Sequence, residues 1–318
     1  MAASTIADMG INAGSNKTIN EGRVVIVTGA GRGLGRAHAL AFAESGAAVV
    51  VNDIGASADG TGASSAPAQE VVELIVGAGG QAVVSGHDVA DWNEAHAMVQ
   101  LAVDTFGKLD TLVCNAGFLR DRMLANTSEQ EWDAVMRVHL KGHFAPARHA
   151  IAHWRDRSKA GETLNARIIN TSSGAGLMGS VGQGNYSAAK AGIAGLTLVQ
   201  AAEWGRYGVN VNAIAPAART RMTEAVFADT MAAPDPGAFD AMAPENVSPL
   251  VVWLGSPDSH DITGRVFEVE GGKISVADGW QHGPEIDRGQ RWPVEAVGAA
   301  VRELVAAAAK PAPVYGAS

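Results

Sequence analysis

In the segment NYSAAK, residues 185–190, a tyrosine and a lysine stand four positions apart, and Tyr186 is one of only 3 tyrosines in 318 residues. At that spacing the two side chains share one face of a helix. The spacing alone also suits an exposed tyrosine packed on a lysine stem, so the place of the helix decides its meaning. An ordinary phenol, with a pKa of about 10, is a poor base near neutrality. A neighbouring ammonium favours the phenolate and brings proton transfer at a hydroxyl or carbonyl within reach. Thirteen residues before Tyr186, Ser173 ends the apolar run ARIINTSS. A strand followed by a helix then brings two hydroxyls to one substrate oxygen, with Ser172 as the alternative to Ser173.

A second group lies near the start of the chain. TGAGRGLG (28–35) sets Gly29, Gly33 and Gly35 in G-x-x-x-G-x-G spacing, with Arg32 and Leu34 between them, after the apolar run RVVIVTG. Backbone N–H groups and the helix dipole at a strand-to-helix turn can hold a pyrophosphate. The literal G-x-G-x-x-G is absent, and glycine also serves tight packing. Asp53, eighteen residues beyond Gly35 at the end of the next apolar run, supports the nucleotide. A carboxylate there accepts hydrogen bonds from an adenosine ribose and repels a 2′-phosphate, which favours NAD over NADP, with Arg32 in partial compensation. Asp88 and Val89 follow the third apolar run; Asp88 either touches the adenine amine or caps the next helix.

These groups need elements that alternate. Short β-branched runs at 23–29, 47–53, 81–86, 109–117, 166–173, 209–216 and 264–272 predict about seven strands. Between them, 35–45, 66–80, 92–106, 128–157 (with some irregularity), 186–207 and 244–256 predict helices. Strands apolar throughout and joined by amphipathic helices imply one doubly wound parallel α/β sheet covered on both faces. Tyr186 and Lys190 then stand at the C-terminal edge of the sheet, where such folds bind ligands. Residues 54–67 read as a glycine- and serine-rich surface insert. The expected division is a polar lead-in at 1–22, a nucleotide-binding domain at 23–272 and an extension at 273–318, with a helical piece at 294–309, packing on that domain.

Composition narrows the classes. Apolar residues make up 47% and charged residues 18%, with a formal net charge of −9, so nothing in the overall balance attracts nucleic acid or an anionic membrane. No apolar run reaches the roughly 18 residues of a membrane span. The single cysteine, Cys114, permits no internal disulfide or multi-cysteine metal site, so no metal is expected. Without a recognisable secretory or peroxisomal signal, the expectation is a cytoplasmic protein.

The set TGAGRGLG, CNAG (114–117), Ser173, Tyr186 and Lys190 resembles the short-chain dehydrogenase/reductase family over 23–272. The resemblance implies a Rossmann-like fold, with Tyr186 as general acid/base and Ser173 orienting the reacting oxygen. It also implies that Lys190 binds the nicotinamide ribose and tunes Tyr186, and that Asn115, Ala116 and Gly117 support the sheet and the adenosine side. Pro216 begins a loop that in the family continues with glycine; here it reads PAART, and Thr220 is the candidate contact to the cofactor. Many members carry an asparagine where this chain has His139, within VHLKG, so His139 either supports the proton relay or fills the core. Family resemblance further suggests a homodimer or homotetramer formed through 128–157 and 186–207.

A narrower likeness runs through RDRML (120–124), EWDAVMRVHLKGHF (131–144), GQGNYSAAKAGIAGL (182–196), IAPAARTRMT (214–223) and SPLVVWL (248–254). These stretches resemble the (R)-3-hydroxyacyl-CoA dehydrogenase region of peroxisomal multifunctional enzyme type 2, including VHLKG itself. The chain stops before any hydratase or carrier domain, so dehydrogenation alone is expected. The implied substrate is a (3R)-3-hydroxyacyl-CoA, with Arg120, Arg122, Arg219 and Arg221 as candidate CoA contacts. A hydroxysteroid dehydrogenase is the alternative, and a non-catalytic nucleotide-sensing protein is the alternative of another class.

Overall fold

The computed structural model describes residues 18–56, 60, 62, 64–220, 234–235, 237–277 and 279–317. Eight strands form one sheet in the order β3-β2-β1-β4-β5-β6-β7-β8. The first seven are parallel: β1 (Val24–Thr28), β2 (Ala48–Asn52), β3 (Gln81–Ser85), β4 (Thr111–Cys114), β5 (Ala166–Thr171), β6 (Val209–Ala217) and β7 (Val266–Glu270). β8 (Lys273–Ala277) is antiparallel to β7 across the Gly271–Gly272 turn. The expected run at 264–272 is therefore a shorter strand and half of a hairpin, whose Gly-Gly pair is a hairpin signal.

The reason the strands read as unbroken apolar runs is that both faces are covered. Val25, Val27, Val49 and Val51 point to one side, packing with α1 (Gly33–Glu44), α2 (Ala66–Gly77) and α8 (Ser248–Leu254) around Phe42, Val71 and Val251. Val24, Ile26 and Val50 point to the other, against α3 (Trp92–Phe106) and α5 (Gly142–Lys159) with Met98, Ile151 and Trp154. The long helix expected at 128–157 is three pieces: α4 (Glu129–Met136), a π-helical turn at Arg137–Lys141, and α5. Pro146, in the second turn of α5, lacks the N–H that would bond to Gly142 and explains part of the irregularity. After β5 come α6 (Gly174–Met178) and α7 (Gly184–Trp204), and the extension carries β8 and α9 (Val294–Ala307). Among the described residues no helix is long and apolar enough to cross a membrane.

The strand order reverses between β1 and β4, which opens a crevice at their C-terminal ends. The turn from β1 into α1 fits there only because two glycines permit close approach. Gly29 has φ of 64°, and a Cβ there would stand 2.8 Å from the Ala116 Cα. A Cβ on Gly35 would stand 2.1 Å from the Gly29 carbonyl oxygen. Gly35→Ala is therefore expected to lose about 1–3 kcal/mol of stability. Urea denaturation checks this, and an unchanged midpoint would mean that the turn relaxes freely.

Candidate active site

The crevice is built to take an anionic, extended ligand. α1 starts with no side-chain cap at Arg32 and no acid in its first turn. Its first N–H groups and the positive end of its dipole are thus left to an anion. On the β4 side, the Asn115 amide donates to the carbonyls of Thr28 at 3.0 Å and Gly29 at 3.3 Å, while Thr28 Oγ1 accepts from the N–H groups of Asn115 and Ala116. Asp53, just past β2, accepts from the N–H groups of Gly31 at 2.8 Å and Gly55 at 2.6 Å. Gly29, Arg32, Gly33, Leu34, Asp53, Asp88, Val89, Asn115, Ala116, Gly117 and Thr220 all line this one cleft. Gly35 packs behind the turn and Pro216 lies within β6 opposite Val269; neither lines the cleft. An uncapped helix end for a pyrophosphate and a carboxylate at the end of β2 for a ribose fit a dinucleotide.

Asp88 does not cap the following helix. Asp91 does, accepting from the N–H groups of Asn93 and Glu94, because it immediately precedes α3 and Asp88 lies three residues too early. Asp88 instead accepts from Ala90 N–H and pairs with Arg137 at 2.5 Å.

At the neighbouring end of β5, Lys190 and Tyr186 share one face of α7, with the amine 5.5 Å from the phenol ring centre. Lys190 is 2% exposed and donates to the Thr171 carbonyl at 2.6 Å. Among the described residues no carboxylate pairs with it, and burial pushes its pKa down to about 7. The Ser173 hydroxyl accepts from Ala175 N–H at 3.1 Å and stands near enough to the Tyr186 phenol to favour the phenolate by hydrogen bonding. Ser172, the alternative, is buried and donates to the Lys190 carbonyl at 2.9 Å. The expected lowering of the Tyr186 pKa by Lys190 is not realised in the free protein. Burial comes first and pushes the phenol up to about 12, against the Ser173 hydrogen bond and with the Asp121 charge adding to the rise.

His139 sits in the π-helical turn, 1% exposed, with its ring edge-on to Tyr186 at 5.2 Å between centroids. Its Nε2 is 2.7 Å from the Phe118 carbonyl and 3.2 Å from the Phe118 N–H; the carbonyl contact is the shorter, and a lone pair facing that oxygen would be repelled, so Nε2 carries the proton. Nδ1 is then an acceptor, and it is buried without a partner. Burial holds the imidazole down to about 3, so it stays neutral. A turn later, His143 donates from Nδ1 to the His139 carbonyl at 2.6 Å and accepts at Nε2 from Thr171 N–H at 3.3 Å. Sequence reasoning passed over His143, although His139 and His143 stand one turn apart. It also passed over Asp121, which accepts from Gln183 Nε2 at 2.9 Å beside the start of α7.

The arginines expected at the mouth are engaged within the chain. Arg122 pairs with Glu131 at 2.9 Å, Arg219 pairs with Asp240, and Arg120 lies over the Phe118 ring at 5.7 Å. Arg221 lies outside the described residues. The small residues of α7 are also used internally: Ala189 and Ile193 are buried, and a Cβ on Gly176 would meet the Lys190 backbone at 2.6 Å.

Comparison with known proteins agrees with this fold. The short chain dehydrogenase family model matches residues 23–230. Hydroxyacyl-CoA dehydrogenase ChsB1 of Mycobacterium tuberculosis is 47% identical over 266 residues, which cover 82% of this chain and 81% of that one. Peroxisomal multifunctional enzyme type 2 of Mus musculus is 45% identical over 254 residues, 80% of this chain but 32% of that protein, so the chain matches about a third of the larger relative. Among solved structures, a short chain dehydrogenase from Mycobacterium avium is 66% identical, with a TM-score of 0.85 over 94% of this chain and 100% of that one.

The buried amine has a consequence for stability. Its folded pKa of about 7 lies below the unfolded value of 10.5, so between these values the unfolded chain holds the proton and the folded one has lost it. Lys190 therefore costs most below pH 7, and the cost is relieved as pH rises, by up to about 1.4 kcal/mol per pH unit. Lys190→Met is expected to be more stable than the natural chain at pH 7, with the difference shrinking by pH 9. Denaturation midpoints of both proteins across that range check it, and a constant difference would contradict it.

Proposed function

The chain belongs to the short-chain dehydrogenase family, and from that premise we propose that it oxidises a (3R)-3-hydroxyacyl-CoA to the 3-oxoacyl-CoA with NAD. The coarser statement, an oxidoreductase acting on CH–OH groups, follows from the family and from relatives named as dehydrogenases. The observation that carries the mechanism is the placing of Tyr186 and Lys190 on one face of α7, with Lys190 buried on the carbonyl at the end of β5 and the Ser173 hydroxyl near the phenol.

NAD, when bound, supplies the ring carbon that accepts hydride. The glycine turn and the first turn of α1 would hold the pyrophosphate, Asp53 the adenosine ribose and Lys190 the nicotinamide ribose, with Thr220, packed beside Gly33, on the wall of the cleft. Ser173 fixes the carbinol oxygen and Tyr186 takes its proton. The neutral Nδ1 of His139, an acceptor next to the Tyr186 ring, holds a relay water in place of a side-chain amide. Support for the acyl-CoA comes from the hydroxyacyl-CoA dehydrogenase of M. tuberculosis and from the stretches around Arg120, His139, Tyr186 and Arg219. The lone thiol, Cys114, is wholly buried and suits the cytoplasm. Pairing through α5 and α7, where Phe144, Leu198 and Val199 are exposed, would give the homodimer or homotetramer.

The test is NADH formation from a panel of (R)- and (S)-3-hydroxyacyl-CoAs and hydroxysteroids. Turnover of an (R)-acyl-CoA is expected, with Tyr186→Phe lowering kcat by about 10²–10⁴-fold. Turnover of steroids alone would overturn the substrate, and full activity in Tyr186→Phe the mechanism. Asp53→Ala is expected to raise KM for NAD about tenfold and to narrow the preference over NADP, and an unchanged ratio of the two would remove Asp53 from cofactor selection.

A further inference from the structure

The end of the chain, beyond the residues that the family model matches, comes back to the catalytic hydroxyls. After α9, Tyr315 forms a parallel bridge with Ser180. Val181 N–H donates to the Tyr315 carbonyl at 2.9 Å, and Tyr315 N–H donates to the Gly179 carbonyl at 3.2 Å. On the opposite side of the same turn, Arg122 bridges to Gln183, and its N–H donates to the Gly182 carbonyl at 2.7 Å. Three segments far apart in sequence thus lie side by side: the loop after β4, the turn between α6 and α7, and the C-terminal residues. α6 begins immediately after Ser173 and α7 begins two residues before Tyr186, so this layer borders the catalytic pair.

The Tyr315 ring stands directly against that border. Its hydroxyl oxygen is 3.0 Å, and its Cε2 3.1 Å, from where a Cβ on Gly174 would be. A side chain at position 174 would press against the ring, which the glycine avoids. The ring is 49% exposed, and its hydroxyl makes no hydrogen bond with a described residue. An aromatic ring fixed by main-chain bonds, half open to solvent and with its polar tip unspent, has the character of a pocket wall and not of core packing.

We propose that Tyr315 is a substrate-positioning residue, its ring closing the substrate pocket on the Ser173 side. Its hydroxyl donates a hydrogen bond to the thioester carbonyl, two carbons from the carbinol held by Ser173 and Tyr186. The identity of that carbonyl rests on the acyl-CoA substrate proposed above; the wall does not.

Tyr315→Ala and Tyr315→Phe, made in the full chain, test both parts. Tyr315→Ala is expected to raise KM for 3-hydroxybutyryl-CoA about tenfold and Tyr315→Phe about threefold, with KM for NAD and the thermal midpoint unchanged. An unchanged acyl-CoA KM in Tyr315→Ala overturns the proposal, as does an equal rise in KM for NAD, which would mark a general disturbance. Tyr315→Cys gives a readout apart from turnover. Cys114 is the only natural cysteine and is fully buried, so a maleimide reports on position 315. Acetoacetyl-CoA with NAD is expected to slow that labelling about fivefold or more, and equal rates with and without them overturn the wall. Should the natural chain turn over only a hydroxysteroid, the acyl-CoA substrate falls and the thioester contact with it. A rise in the steroid KM of Tyr315→Ala would then still support the wall, and no rise would end it.

Discussion

A lysine amine with almost no solvent and no counter-ion among the described residues, tied to the carbonyl at the end of β5, is the constraint around which the site is arranged. Such a group must be hydrogen-bonded and must shed charge readily, because an isolated buried ammonium is expensive. Its neighbours meet both conditions. Thr171 supplies the carbonyl, Ser172 pins the Lys190 backbone, and His139 and His143 are held neutral by burial, so no second cation competes. The π-helical turn matters here because it carries His139 to the Tyr186 ring while the His139 carbonyl still binds His143. Gly117 completes the fit, since a Cβ there would stand 2.2 Å from His139 Cε1. The π-turn, β5 and the start of α7 therefore cannot shift independently.

The nucleotide side solves a different electrostatic problem. The chain carries a formal net charge of −9, yet its cleft is shaped for an anion. Fixed backbone dipoles do what a cationic surface would otherwise do: the first turn of α1 is uncapped and free of acids, and Asn115 locks the turn that aims it. Arg137, one cation on the cleft, is already balanced by Asp88. Attraction is therefore local and depends on the geometry of the turn, which is why Gly29 and Gly35 approach their neighbours so closely.

Much of this was legible in the sequence, for identifiable reasons. Strands buried on both faces leave unbroken β-branched runs, so the alternation from β1 to β7 could be read, and the spacing of Tyr186 and Lys190 fixed their common face. What spacing cannot report is burial. It shows an ammonium beside a phenol, but not how far each is withdrawn from water, and so it gave the wrong direction for Tyr186. Local pattern also left open whether Asp88 caps α3, although the predicted start at Trp92 puts Asp91, and not Asp88, at the cap position. β8 was lost because its Gly-Gly turn was read as the end of a strand and not as a hairpin. Tyr315 had no local signal: α9 was legible, but the main-chain bridge that brings Tyr315 to Gly174 joins segments far apart in sequence and leaves no pattern.

The resting charges of Tyr186 and Lys190 also constrain how the proposed mechanism can work. With Tyr186 up at about 12 and Lys190 down at about 7, the free protein presents a neutral phenol beside an amine that is half protonated near neutrality. Asp121, beside the same helix start, adds to the bias against a phenolate. A neutral phenol is ready to donate a proton and reluctant to accept one. Beside a buried lysine and a partly buried phenol, a positive charge brought in with a ligand is weakly screened and shifts that balance strongly. The direction of proton transfer is therefore set by the charges that enter with the ligands, while the fixed residues supply geometry and keep both groups close to switching.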